Sequence, residues 1–118
     1  MSSQQSKPPV YLKFLNLMQA LREMPTFPAL DATEERLLNQ LAAVWGKGDQ
    51  ITVLETMQLD AEASASTIHR RLKSLRKKGV IQLTVDEIDN RIKYVAPTAL
   101  ATEYFSQLSN ALVKAAKG

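Results

Sequence analysis

The chain has 118 residues, with 15 Lys or Arg against 12 Asp or Glu, a single His and no Cys. That length suits one domain with an ordinary core, and the lack of cysteine excludes a disulfide framework and thiolate metal sites, which fits a reducing cytoplasm. No apolar run approaches the roughly 20 residues that span a bilayer, and the opening MSSQQSKPP lacks the apolar stretch of a signal peptide, so an intracellular protein without a membrane partner is expected.

Residues 1–9 are small and polar and end in two prolines, the composition of a disordered leader; residues 10–118 are expected to form a single domain. From Val10 the apolar residues Val10, Phe14, Leu17, Met18, Leu21 and Met24 recur at helical spacing. Leu12 and Leu15 widen that stripe, as in a helix that covers two surfaces. Pro25 and Pro28 interrupt the pattern. Asp31 and Glu34 then form a capping box, and Leu37, Leu41, Val44 and Trp45, with Leu38 and Ala42 beside them, give the inward stripe of a second helix that ends at Gly46 and Gly48. Thr52 and Glu55 form a second capping box, which starts a short helix with Leu54 and Met57 inward. The segment QLDAEA, residues 58–63, connects it onward without a glycine.

Residues 64–81, SASTIHRRLKSLRKKGVI, hold six of the cations, the only His and no acid. The segment therefore carries +6, and the remaining nine cations against all 12 acids leave −3 elsewhere. The charge is one patch on a mildly acidic body, which points to a polyanion met in one orientation. Ala65, Ile68, Leu72 and Leu75 share one helical face and Gly79 terminates it. At about 100° per residue, Ser66, Thr67, Arg70, Lys73, Ser74 and Lys77 fall opposite that face, with His69 and Arg76 on one border and Arg71 and Lys78 on the other. After Gly79 the period drops to two: Ile81, Leu83 and Val85, then Ile92, Tyr94 and Ala96, flank DEIDN at 86–90, which reads as a β-hairpin. Thr98 is a candidate N-cap, and Ala101, Tyr104, Phe105, Leu108, Leu112 and Ala115 mark a last helix.

The expected fold is mainly α with a small β-hairpin wing. A short helix, a turn and an amphipathic cationic helix make a helix-turn-helix, whose second helix enters the DNA major groove, and the hairpin stands where a wing would be. The partner expected from charge and order is double-stranded DNA, read by the helix at 64–78 with the wing at 81–96 near the minor groove. An A-form RNA major groove is too narrow for that helix.

STIHRRLKSLRKKGVI resembles the recognition helix of MarR-type winged-helix transcription regulators: a Ser66-Thr67-aliphatic start, Leu72 and Leu75 three apart, and a Lys77-Lys78-Gly79-Val80 exit. Asp89-Asn90-Arg91 stands where that family carries an Asp-x-Arg at the wing, and VAPTALATEYFSQL is similar to its strand exit and following helix. The resemblance covers roughly residues 31–108. It implies a homodimeric, cytoplasmic and nucleoid-associated DNA-binding regulator reading a pseudo-palindrome, with residues 10–24 and 98–116 as dimerisation elements. The chain is short for the family, and its long C-terminal helices are reduced to one.

Arg70 and Ser74 are candidates for base contact, with Ser64, Ser66 and Thr67 from the N-terminal turn; Arg71, Lys73, Arg76, Lys77 and Lys78 suit phosphate. His69 has no ligand-type neighbours and reads as a border hydrogen-bonding residue. Arg91 either enters the minor groove or pairs with Asp89, and Lys93 lies beside it. Asp86, Glu87 and Asp89 repel phosphate, and Ile88 at the tip is either tucked back or exposed. Trp45, Tyr104 and Phe105 read as core or interface residues. No glycine-rich phosphate loop, metal-ligand cluster or nucleophile with a histidine partner is present, so neither an enzyme nor a cofactor or metal is expected, and the sequence leaves room for a small-molecule effector without indicating one. The alternative reading is a winged-helix protein–protein adaptor without specific DNA binding, suggested by the acidic wing, Ile88 and the wide apolar face of the first helix.

Overall fold

The computed structural model describes residues 9–23 and 27–117, and at 21 and 22 the backbone only. Its elements run α1 (Val10–Arg22), α2 (Ala32–Gly46), α3 (Val53–Thr56), α4 (Ala65–Lys77), β1 (Ile81–Val85), β2 (Lys93–Pro97) and α5 (Ala99–Lys117). The expected leader up to Pro8, together with Met24 and Pro25, lies outside the described residues. The chain divides into two compact units, one of residues Leu30–Ala101, the other of residues before Leu30 and from Thr102 onward.

In the first unit, α2 starts at the capping box the sequence predicts. Asp31 accepts from the Glu34 backbone N–H at 2.7 Å, and the Asp31 N–H donates to the Glu34 carboxylate at 2.9 Å. Leu37, Leu38 and Leu41 are buried along the helix. Gly48 follows its end with φ +83, a left-handed conformation that glycine adopts without a Cβ clash. Helix α4 packs on α2 and on β1 through Ile68, Leu72 and Leu75, all buried. Ser64 caps it, accepting from the Thr67 N–H. Its end is a Schellman motif: Gly79 at φ +79 donates to the Arg76 carbonyl and Val80 to the Leu75 carbonyl, each at 3.0 Å. That turn delivers Val80 and Ile81, both buried, straight from the helix into the hairpin.

The strands β1 and β2 are antiparallel, with Ile81 opposite Pro97 and Leu83 opposite Val95. In the sequence Ile92, Tyr94 and Ala96 alternate with Arg91, Lys93 and Val95, which leaves the inward face of the second strand open. The register sets Val95 on the face of Leu83, buried, while Ile92 precedes β2 and is 36% exposed. Val95 is also held from its other edge, its N–H donating to the Ile51 carbonyl at 2.8 Å and its carbonyl accepting from the Trp45 indole N–H at 3.0 Å. In α3, Thr52 and Glu55 form the expected capping box, but Leu54 is 80% exposed and Thr56 is fully buried. With a single helical turn only one face can turn inward. Thr56 occupies it because its hydroxyl donates to the Thr52 carbonyl at 2.8 Å, which removes the cost of burying that hydroxyl.

The second unit holds α1 and most of α5. Phe27 stacks on Tyr104, with ring centroids 3.9 Å apart and planes 12° from parallel. Tyr104, Ala111 and Ala115 are the buried residues of α5 in this unit. Leu112, predicted inward, is 49% exposed and Val113 beside it 52%. Small alanines take the buried line at positions 111 and 115, so the larger residues fall beside it. Phe14, Leu15, Leu17 and Met18 of α1 are half-buried, and Val10, Tyr11 and Leu12 are exposed. Among the described residues, no helix is long and apolar enough to cross a membrane.

Candidate nucleic-acid interface

Three kinds of residue surround α4, and packing sorts them. The buried stripe is Ile68, Leu72 and Leu75; Ala65, counted inward from the sequence, is exposed. Thr67, Arg71, Ser74 and Lys78 follow one another at helical spacing and are half-buried. Ser66, His69, Arg70, Lys73, Arg76 and Lys77 are exposed and form the open face.

Three members of the half-buried row, Arg71, Ser74 and Lys78, are held by the two residues of the α2 capping box. Arg71 Nη1 lies 3.1 Å from the Asp31 carboxylate. The Ser74 hydroxyl donates to the Glu34 carboxylate, and Lys78 Nζ donates to its other oxygen at 2.7 Å. Ser74, which sequence spacing placed at the centre of the exposed face, is thus turned toward α2. The stripe is narrower on the Ala65 side than the sequence indicates, and the buried edge extends instead over polar residues that have partners. Glu34 itself is 1% exposed. Burial pushes its carboxyl up, but hydrogen bonds from Lys78, Ser74 and the Asp31 N–H outweigh that and, with the Lys78 charge, hold it at about 2.

The accounting of charge changes accordingly. Of the six cations between 64 and 81, Arg71 and Lys78 meet carboxylates of α2. The other four, Arg70, Lys73, Arg76 and Lys77, have no ion-pair partner among the described residues and stand with His69 on the open face, while Ser64 and Thr67 are engaged in the cap, the Ser64 hydroxyl donating to Thr67 Oγ1 at 2.8 Å. Beside this face opens a cleft of about 240 Å³, with Val53, Leu72, Ile81 and Leu83 as its apolar lining and His69, Lys73 and Arg76 as its polar one.

The wing tip is organised by its own acids. Asp86 accepts from the Ile88 and Asp89 N–H groups at 3.0 Å and from the Tyr94 hydroxyl at 2.7 Å. These bonds, the Asp89 N–H foremost, hold the Asp86 carboxyl below its usual range, and the same contact raises the Tyr94 phenol. Asp89 accepts from Arg91 three times: from Nε and the backbone N–H at 3.0 Å, and from Nη2 at 2.9 Å. The Arg91 guanidinium keeps Asp89 ionised to lower pH. Two of the three wing acids therefore serve the turn, and Arg91, 86% exposed, is braced by one of them and still open to solvent. Lys93 is exposed, and Ile88 projects from the tip at 97% exposure. Among the described residues no group of three His, Asp or Glu stands close enough to hold a metal ion.

Sequence reasoning missed Glu34 as anything beyond a cap. The signal was present: Glu34 lies three residues before Leu37 and seven before Leu41, on the apolar stripe of α2, where an acid needs a buried partner.

No protein-family model matches the chain, and no curated protein matches it in sequence. Solved structures do match. The YusO protein from Bacillus subtilis is 18% identical over 89% of this chain and 66% of that one, with a TM-score of 0.53. The transcriptional regulator Tm0710 from Thermotoga maritima is 16% identical, over 92% and 68%, with a TM-score of 0.62. A MepR variant from S. aureus is 15% identical, over 92% and 70%, at 0.63. The chain spans about two thirds of the length of each. At these identities the likeness is one of fold, and that fold is the winged helix-turn-helix implied by the resemblance to MarR-type proteins.

Proposed function

We propose that the protein is a sequence-specific, double-stranded-DNA-binding transcriptional regulator of the MarR type, non-enzymatic, homodimeric and cytoplasmic, working at the nucleoid. The observation that carries this reading is the open face of α4, where four cations and His69 stand on one side of a helix whose other sides are committed to the protein. A major groove is about wide enough for one such helix, and phosphates line both walls. Arg70 and Ser66 are the base-contact candidates on that face, Lys73, Arg76 and Lys77 the phosphate contacts, with Arg91 and Lys93 approaching from the wing. Ser64, Thr67, Arg71, Ser74 and Lys78 shape and aim the helix rather than lead in contact. The likeness in fold to the regulator Tm0710 supports the same reading.

The dimer rests on residues 10–24 and 98–116. Val10, Tyr11 and Leu12 in α1, and Leu112 and Val113 in α5, are large apolar residues left exposed, which a second copy would cover. A second reading, a protein–protein adaptor, draws on the exposed Ile88 at the wing tip.

The experiment is duplex-DNA binding, selected sequence against random sequence, at two salt concentrations, with the molar mass measured alongside. The expected result is a dimer that prefers its selected duplex, with Lys77→Ala weakening binding on every sequence and Arg70→Ala relaxing the preference as well. A monomer with no preference for any duplex overturns the regulator reading, and DNA-independent capture of a protein partner through Ile88 then favours the adaptor.

A further inference from the structure

A carboxylate almost without solvent contact is an expensive thing to place under a DNA-reading helix. Transferring an ion from water to a protein interior costs several kcal/mol before its partners compensate, and a well-packed apolar residue would fill the same space under Ser74 and Lys78. Glu34 is nonetheless fully engaged: one oxygen accepts from the Asp31 N–H and from Lys78 Nζ, the other from the Ser74 hydroxyl. Its neighbour in the capping box, Asp31, reaches Arg71. Residues 71, 74 and 78 lie along one flank of α4 at intervals of three and four, so two carboxylates at the start of α2 grip a row that runs two turns along the helix. The apolar stripe of Ile68, Leu72 and Leu75 can hold α4 against the core, but branched aliphatic contacts are non-directional and tolerate a small rotation of the helix about its axis. Directional bonds from one flank to a fixed point do not.

We propose that Glu34 is a positioning residue of the recognition helix: through Ser74 and Lys78 it sets the rotation of α4 about its own axis, and so decides that Arg70, Lys73, Arg76 and Lys77 face the nucleic acid. The inference rests on the reading of α4 as a DNA-recognition helix. Buried polar groups that select one register over its neighbours are the best attested use of such costly interactions. Here Ser74 and Lys78 are withdrawn from the groove, and Arg70, on the open side of the helix, is presented to it.

The test uses the full chain and its isostere Glu34→Gln, which can keep the acceptor for the Asp31 N–H and removes the charge that holds Lys78. Two readouts are taken at a temperature where both proteins are folded. The first needs no DNA: amide hydrogen exchange, in which the expected result is faster exchange confined to residues 64–78. The second is the ratio of affinity for a duplex selected by the parent over a random duplex, which is expected to fall about tenfold, while the salt slope on random duplex rises by about one as Lys78 becomes available to phosphate. A merely structural role would lower the midpoint of unfolding and leave ratio and slope where they were. An unchanged ratio, or exchange that rises evenly along the chain, overturns the proposal. Should Glu34→Gln fail to fold, Ser74→Ala, which removes a single bond, decides in its place: the same local exchange and a ratio reduced about threefold are expected, and parent-like values in both overturn the assignment. If the parent itself prefers no duplex, the regulator reading falls, and the exchange measurement still decides what Glu34 does.

Discussion

The two polar sides of α4 are built from the same residue types, yet they have different fates. Arg71, Ser74 and Lys78 face α2 and are held by Asp31 and Glu34; Arg70, Lys73, Arg76 and Lys77 face away and meet no acid among the described residues. A sequence count gives +6 for this segment, but a polyanion approaching the open side meets four of those charges, with the remaining two already answered by carboxylates. What separates the sides is the position of the acids: Asp31 caps α2 and Glu34 lies in its first turn, where a capping box needs both anyway, and both meet side chains of α4 and its C-cap. Cap and clamp are the same two side chains.

The largest effect comes from the stripe that separates the two sides. Leu75 is fully buried between α2 and the hairpin exit, and its carbonyl takes the Val80 N–H of the Schellman turn. Leu75→Ala is expected to cost about 2–5 kcal/mol by urea denaturation, and a loss below 1 kcal/mol would mean that the polar flank, and not the stripe, holds α4 in place.

The next effect belongs to the inner side alone. The Glu34 carboxyl is held at about 2 in the folded chain against an ordinary value of 4.5. Below pH 4.5 the unfolded chain takes up a proton that the folded chain refuses, so the stability this group contributes is complete above that pH and is lost as pH falls toward 2. Its size is about 3 kcal/mol, from roughly 1.4 kcal/mol per unit. The difference in stability between parent and Glu34→Gln is expected to shrink steadily between pH 5 and pH 2; a constant difference would place the charge of Glu34 outside the folding balance.

Smaller again is the effect on binding, where the two sides separate most sharply. Lys77→Ala on the open face is expected to reduce the salt slope of duplex binding by about 0.9. Lys78→Ala, one residue on, leaves the slope within experimental error, although it loosens the helix. Equal losses in slope from both variants would show that the ion pair to Glu34 opens when DNA arrives.

Much of this architecture was legible in the sequence, because helices and caps are local. Both capping boxes, the Gly79 stop and the wing follow from residue type and spacing within a few positions. What escaped depended on neighbours far along the chain. Leu54 reads as inward until Thr56 satisfies its own hydroxyl and takes the buried place. Ser74 reads as central on the exposed face until Glu34, 40 positions earlier, is brought to it. In the second strand, alternation allowed either face, and the pairing of Val95 with Leu83 made the choice. A period of two cannot decide between faces when both carry apolar residues.

The smallest expected effect is the most informative about how the clamp is divided. Asp31 and Arg71 are half-exposed, at 50% and 36% of their side-chain surface, and stand 3.1 Å apart, so water and salt screen their attraction. Asp31→Asn keeps an acceptor for the Glu34 N–H and so keeps the cap, removing only the charge. It is expected to cost about 0.5 kcal/mol in the presence of Arg71 and almost nothing in an Arg71→Ala background. Such a double-mutant cycle isolates the pair from the cap, which single substitutions confound. A coupling near zero would leave the buried Glu34 as the whole of the polar attachment between α2 and α4. A coupling above 1 kcal/mol would mean that the outer pair is shielded from solvent more than its exposure suggests, and that the grip on α4 is shared along the row from residue 71 to residue 78.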